Sequence, residues 1–161
     1  MELFDLYLTY AQPTEVHGGS IIYYVKHKEQ QAHGIVSTVI GEDKLKEFGS
    51  FEAFGNRVEN SRRIFLDKLF AVYGDVVGYG ATAKSTTVLN YCHVGTHLIS
   101  KIYDTTPIKQ NKFSPGMHIP IVPYYEFERD EPKDVVLFAW NHQAEIMEKE
   151  KGKNINWIIP I

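Results

Sequence analysis

Lys84 and Ser85 close a run, Gly78-Tyr79-Gly80-Ala81-Thr82-Ala83, in which two glycines end a string of apolar β-formers. A strand that breaks at such a turn and restarts as a helix aims the first helical amides, and the positive end of the helix dipole, at whatever lies beyond the strand. Gly78 and Gly80 permit a tight backbone path, Lys84 adds a full charge, and Ser85, Thr86 and Thr87 add hydroxyl donors. This combination suits a phosphate group. A turn that merely lets strand and helix pack is the other reading of the same residues.

Two nucleotide motifs nearly fit. As G-x-x-x-x-G-K-S/T the run has Ala83 in place of the second glycine, which disfavours a nucleoside-triphosphate-hydrolysing loop. As G-x-G-x-x-A it fits the looser dinucleotide fingerprint, and Asp104, about twenty residues on, stands where a ribose-binding acid would. Asp104 reads equally as a turn residue at a strand end. A nucleotide diphosphate is the ligand common to both motifs.

The Pro-rich stretch 105–120 carries Lys109, Lys112 and His118 and reads as a long loop at the carboxyl edge of a sheet, where open α/β folds bind ligands. The same loop could be merely solvated. No metal site is expected from the seven histidines: none has an H-x-x-x-H or H-E-x-x-H spacing on a helix, and His93 and His97 straddle Gly95. The single cysteine, Cys92, follows Val88 and Leu89 and reads as a packing residue rather than a nucleophile.

Short apolar strands at 75–79, 98–104, 134–139 and 154–159 alternate with helical segments at 84–91 and 141–151. Nearly all-apolar strands separated by helices predict a mostly parallel sheet covered on both faces, a Rossmann-like α/β domain over 73–161. Upstream, 41–72 has a helical apolar pattern interrupted at Gly49-Ser50, which predicts a short helix and then a long connector capped by Ser50. Residues 2–11 and 20–28 read as two antiparallel strands of a hairpin spanning 1–28, joined through a turn over 13–19. Two strands are marginal alone, which points to edge pairing with another chain, a homodimer being one solution.

A length of 161 residues allows one ordinary domain with its own core. The net charge of −3 gives no reason to expect nucleic acid or an anionic membrane as partner. One cysteine, no basic-then-apolar leader and no long apolar run make a cytoplasmic protein the expectation.

Val77-Gly78-Tyr79-Gly80-Ala81-Thr82-Ala83-Lys84 leads to Leu89-Asn90-Tyr91-Cys92. Asp104, Pro107, Lys109, Pro115-Gly116-Met117-His118-Ile119-Pro120-Ile121 and Ala139-Trp140-Asn141 follow. In this order and spacing they resemble the C-terminal domain of the S-adenosylmethionine-dependent sugar C-methyltransferases, which act on nucleotide-linked deoxysugars. Val16-His17-Gly18-Gly19-Ser20 and the strand after it are similar to the closing hairpin of that family's methyltransferase domain, and the helix over 51–70 resembles its connector.

The resemblance implies that Gly80, Ala81, Lys84 and Ser85 meet the nucleotide diphosphate, that Lys109, Lys112 and His118 close over it, and that His17 lies near the sugar. Asn141 is explained as an N-cap without any ligand. The zinc-binding cysteines, the acidic-histidine segment that supplies the base and the donor-binding glycine loop of the family have no counterpart in this sequence. A C-methylation needs a base and a methyl donor held in line with the resulting enolate. The expectation is therefore a sugar-nucleotide-binding part with no catalytic residue of its own, which binds no S-adenosylmethionine alone and works with a partner chain carrying the donor domain. A small NAD(P)-binding protein and a non-catalytic interaction module are the competing readings.

Overall fold

A computed structural model describes residues 4–16, 19–27 and 47–160, and the chain divides into two units, 1–54 and 55–161. His17, Gly18 and the expected short helix before residue 47 lie outside the described residues.

The first unit contains β1 (Leu6–Thr14) and β2 (Ser20–His27), antiparallel from Leu6 opposite His27 to Thr14 opposite Ser20. Pro13, expected in the turn, pairs with Ile21 inside β1. Proline is tolerated because a strand of a two-stranded sheet always has an edge where its missing N–H is not needed. Tyr10, Tyr23, Tyr24 and Val25 are exposed on this hairpin.

The long connector is α1 (Phe48–Phe70), which starts earlier than expected: it runs through Gly49 and takes Ser50 into its first turn, so Ser50 is not its cap. A single glycine costs a helix only about 1 kcal/mol, which the remaining residues of α1 outweigh. Its last turns are anchored by Phe65 and Leu69, both buried.

The second unit is α/β, as expected. Six strands run in the order β5 (Lys112–Phe113), β6 (Pro120–Pro123), β4 (Ile102–Asp104), β3 (Val76–Tyr79), β7 (Asp134–Leu137) and β8 (Asn156–Ile158). All neighbours are parallel except β5, which runs antiparallel to β6. The helices are α2 (Ala83–Cys92), α3 (Tyr124–Asp130) and α4 (Gln143–Lys149), with a 3-10 turn over Trp140–His142 before α4.

Strand alternation sorts the core into two layers. Val76, Ile102, Val136 and Phe138 point to one face and pack with Leu89 and Cys92 of α2 and with Phe65 and Leu69. Val77, Tyr79, Tyr103, Val135 and Leu137 point to the other and pack with Phe127 of α3 and Ile146 of α4. Burial on both faces is what the near-continuous apolar strands require.

The largest departure from expectation lies in 105–120. It contains β5 and the first residue of β6 rather than a simple loop. Ser114 accepts the Ile119 amide through its hydroxyl at 2.9 Å, donates its own amide to the Ile119 carbonyl at 2.8 Å, and so closes the β5–β6 hairpin around Pro115 and Gly116. Strand β4 is shorter than the predicted 98–104, because Leu98 and Ile99 donate to Gly95 in a turn.

Candidate functional site

The turn between β3 and α2 takes its shape from Gly80 and from Asp104. Gly80 has φ +89, and a Cβ there would come within 3.0 Å of the Ala139 Cβ, so both conformation and space call for glycine. Gly78, read from sequence as part of the turn, lies inside β3: a Cβ on it would sit 2.8 Å from Phe138 and 2.9 Å from Ile102. Its missing side chain gives room to Phe138 in the core.

Asp104, at the end of β4, is buried. Its Oδ2 accepts the Ala81 amide at 2.7 Å and faces the Lys109 ammonium at 3.5 Å; its Oδ1 accepts the Thr106 amide at 2.7 Å. The turn therefore carries an anion of its own. Thr82 caps α2, its hydroxyl accepting the Ser85 amide at 3.0 Å, and the Ser85 hydroxyl donates to the Thr82 carbonyl at 2.6 Å. Ala81 and Ser85 are thus committed within the chain. Lys84 reaches sideways, its Nζ 5.2 Å from the Trp140 ring, a geometry in which the ring face attracts the ammonium.

Two clefts flank this turn. The larger, about 620 Å³, opens outside the carboxyl ends of β3, β4, β6 and β7, lined by Gly80, Tyr79, Tyr103, Tyr124, His142 and Lys149 among others. From β3 the chain builds the sheet first toward β4 and then toward β7, so this cleft sits where the strand order reverses. The smaller, about 280 Å³, lies between α2 and the β5–β6 hairpin, with Lys109, Lys112, Ile108 and Phe113 in its wall and no carboxylate lining it.

Tyrosines floor the larger cleft, held from beneath by a buried carboxylate. The Glu150 Oε1 accepts the hydroxyls of Tyr79 at 3.1 Å and Tyr124 at 2.6 Å, and its Oε2 accepts the Lys153 ammonium at 2.6 Å. Burial opposes ionisation of Glu150, but the bonds from Lys153, Tyr124 and Tyr79 outweigh it and hold the carboxyl below its ordinary range. Burial, then the Glu150 charge, pushes the Tyr79 phenol far up; burial and the bond to Glu150 do the same to Tyr124. Tyr103 is pushed up to about 12, chiefly by burial, and donates to Asp130 at 3.0 Å. Lys149 stands over the Tyr124 ring, 3.5 Å from its centroid.

Of the residues singled out from sequence, Gly80, Asp104 and Lys109 line the larger cleft, and Ala81, Ser85, Lys109 and Lys112 the smaller. His118 is exposed on the turn after β5, at φ +53, and lines neither. Asn141 lies within the 3-10 turn, and His142 stands at the N-cap of α4, correcting the N-cap assigned to Asn141. Tyr79, Tyr103, Tyr124, Lys149 and Glu150 were missed. Tyr79 sits between the two glycines of the motif, and a large aromatic there was the available signal.

Gly116 and Asn90, both in the motifs noted above, explain one another: the Asn90 amide donates to the Thr86 and Pro115 carbonyls at 2.8 and 2.9 Å, and a Cβ on Gly116, at φ +81, would fall 1.8 Å from Asn90 Oδ1. His93 and His97 share no helical face, in keeping with the glycine between them: α2 ends at Cys92, and His93 caps it in the left-handed conformation at φ +55. Among the described residues no group of three His, Cys, Asp or Glu side chains is placed to hold a metal ion, and no helix is long and apolar enough to cross a membrane.

A mostly parallel α/β sheet with a cleft at its point of reversal defines the class of open-sheet α/β domains. Within that class this chain belongs to the C-methyltransferase C-terminal domain family, whose model matches residues 15–161. C-methyltransferase NovU of Streptomyces niveus is 31% identical over 158 residues, an alignment that takes in 91% of this chain and 38% of that protein. The chain thus spans well under half the length of that relative.

Proposed function

We propose that this chain is the part of a C-methyltransferase that holds a nucleotide-linked deoxysugar, the methyl donor and the base being supplied by other parts of the enzyme. The observation that carries this reading is the larger cleft, at the reversal of strand order, walled by tyrosines and bordered by Lys109 and Lys149. Aromatic rings suit a base, and lysines suit a diphosphate. Family membership supports the methyl-transfer setting.

S-adenosylmethionine would be the donor for the family. The glycine turn fits it poorly: the Ala81 and Ser85 amides are bonded internally, and Asp104, the acid placed for a ribose, already accepts at both oxygens. The same bonds count against a nicotinamide dinucleotide, whose case rested on the turn and Asp104.

Calorimetric titration with thymidine diphosphate, NAD and S-adenosylmethionine tests the reading. Heat from thymidine diphosphate alone, reduced by about tenfold in affinity in Lys109→Ala, is expected; binding of NAD alone would overturn it.

A further inference from the structure

The Glu150 side chain, at the C-cap of α4, is 1% exposed and lines neither cleft. What it holds does line one. Its Oε1 accepts the hydroxyls of Tyr79 and Tyr124 and stands 3.9 Å from the Lys149 ammonium, and all three of these residues face the larger cleft. Of its partners only Lys153, on Oε2, does not. A buried carboxylate is a poor device for stability alone, because well-packed apolar groups of the same volume often do as well or better. Its value here lies in the arrangement it imposes.

Lys149 and Tyr124 belong to different elements, and each stands at a helix end. Tyr124 is the first residue of α3, whose N-cap Pro123 makes no side-chain bond, and Lys149 is the last residue of α4. The carboxylate draws them together: Tyr124 donates to it at 2.6 Å, and the Lys149 ammonium rests 3.5 Å from the Tyr124 ring centroid, within reach of ring and carboxylate alike. The Lys149 side chain is still 48% exposed. We infer that Glu150 is a positioning residue: without touching a ligand it fixes Lys149 and Tyr124 as one unit on the cleft wall, so that the anion affinity contributed by Lys149 depends on the Glu150 carboxylate. This rests on the sugar-nucleotide reading above. Charge alone predicts the reverse. Removing a negative group and leaving Lys153 unpaired raises the local positive potential, which strengthens anion binding. The sign of the effect therefore separates position from charge.

The test measures affinity of the full chain for thymidine diphosphate in the wild type, Lys149→Met, Glu150→Gln and the double variant, with thermal melting to verify that each folds. Lys149→Met is expected to weaken binding by about tenfold, the loss of one charge-assisted contact. Glu150→Gln is expected to weaken it by a similar factor. In that background Lys149→Met then costs less than about twofold, so the two losses do not add. Where Glu150→Gln does not fold, Tyr124→Leu, which removes the ring beneath Lys149 and the bond to Glu150, completes the same cycle with the same expectation. A role in packing alone leaves the Lys149 contribution intact in every background. Additive losses, tighter binding in Glu150→Gln, or a Lys149→Met variant that binds like the wild type would overturn the positioning role and leave the sugar-nucleotide reading standing. A wild type that does not bind thymidine diphosphate removes the two together.

Discussion

The carboxylate of Asp104 accepts the backbone N–H of Ala81 at 2.7 Å, across 23 residues of sequence, and so ties the end of β4 to the turn that opens α2. A motif that reads as an anion receptor is in part already satisfied by the chain. The relation makes Asp104 a structural clasp, and Lys109, paired to it at 3.5 Å, the exposed half of the pair.

Asp104→Ala leaves the Ala81 and Thr106 amides without their acceptor and is expected to cost about 3 kcal/mol of unfolding free energy. Lys109→Ala removes only a half-exposed partner and is expected to cost under about 1 kcal/mol. Urea denaturation of the two variants distinguishes them, and equal losses would contradict the clasp.

Gly116 and Gly152 both have positive φ, +81 and +100, but only at Gly116 would a Cβ strike a neighbour, Asn90. Gly152→Ala is expected to cost about 1 kcal/mol from backbone strain alone, and Gly116→Ala about 2 kcal/mol more. The difference in urea midpoint isolates the clash with Asn90. Gly116→Ala paired with Asn90→Ala should lose less than the sum of the single changes.

Glu150 and Asp130 are both held below their ordinary ranges, Asp130 at about 2 through bonds from Lys101, Arg129 and Tyr103. Each binds fewer protons folded than unfolded, so the stability it contributes is complete above about pH 4 and drains as the pH falls. For Asp130 the loss is complete only below about 2. Asp130→Asn and Glu150→Gln are therefore expected to flatten the acid limb of a stability-against-pH curve. Glu150→Gln also costs about 3 kcal/mol at neutral pH, because Lys153 is left beside a neutral partner.

Tyr79, Tyr103 and Tyr124 ionise late, Tyr103 near about 12. Their stability contribution is present below about pH 10 and falls as pH rises. Ultraviolet titration should show that these three of the ten tyrosines ionise late, together with exposed Tyr91, whose bond to Glu59 also pushes its phenol up. In Glu150→Gln, which removes the charge beneath them, Tyr79 and Tyr124 should titrate earlier.

The β3–turn–α2 unit was legible because its cues are local: an apolar run predicts a buried strand, Gly80 a tight turn, and the residues from Lys84 on a helix. The alternation of apolar strands and helices likewise announced a mostly parallel sheet. The stretch 105–125 was not legible. Strands of two and four residues carry too little periodicity to be told from loop, and β5 is a strand only because β6 lies beside it. Nor does any local pattern pair Glu150 with Tyr79, 71 residues away, or Asp104 with Ala81.

Residue type and spacing alone thus determined which segments become strand, turn and helix in the centre of the sheet, since those choices rest on backbone sterics and on hydrophobic period. Only the tertiary structure decided which polar groups are already satisfied and which still face a cleft. That division depends on distances between residues far apart in sequence. It is why Ala81 and Ser85, which the motif offered to a ligand, are bonded inward, while Lys109 stands partly exposed where the two clefts meet.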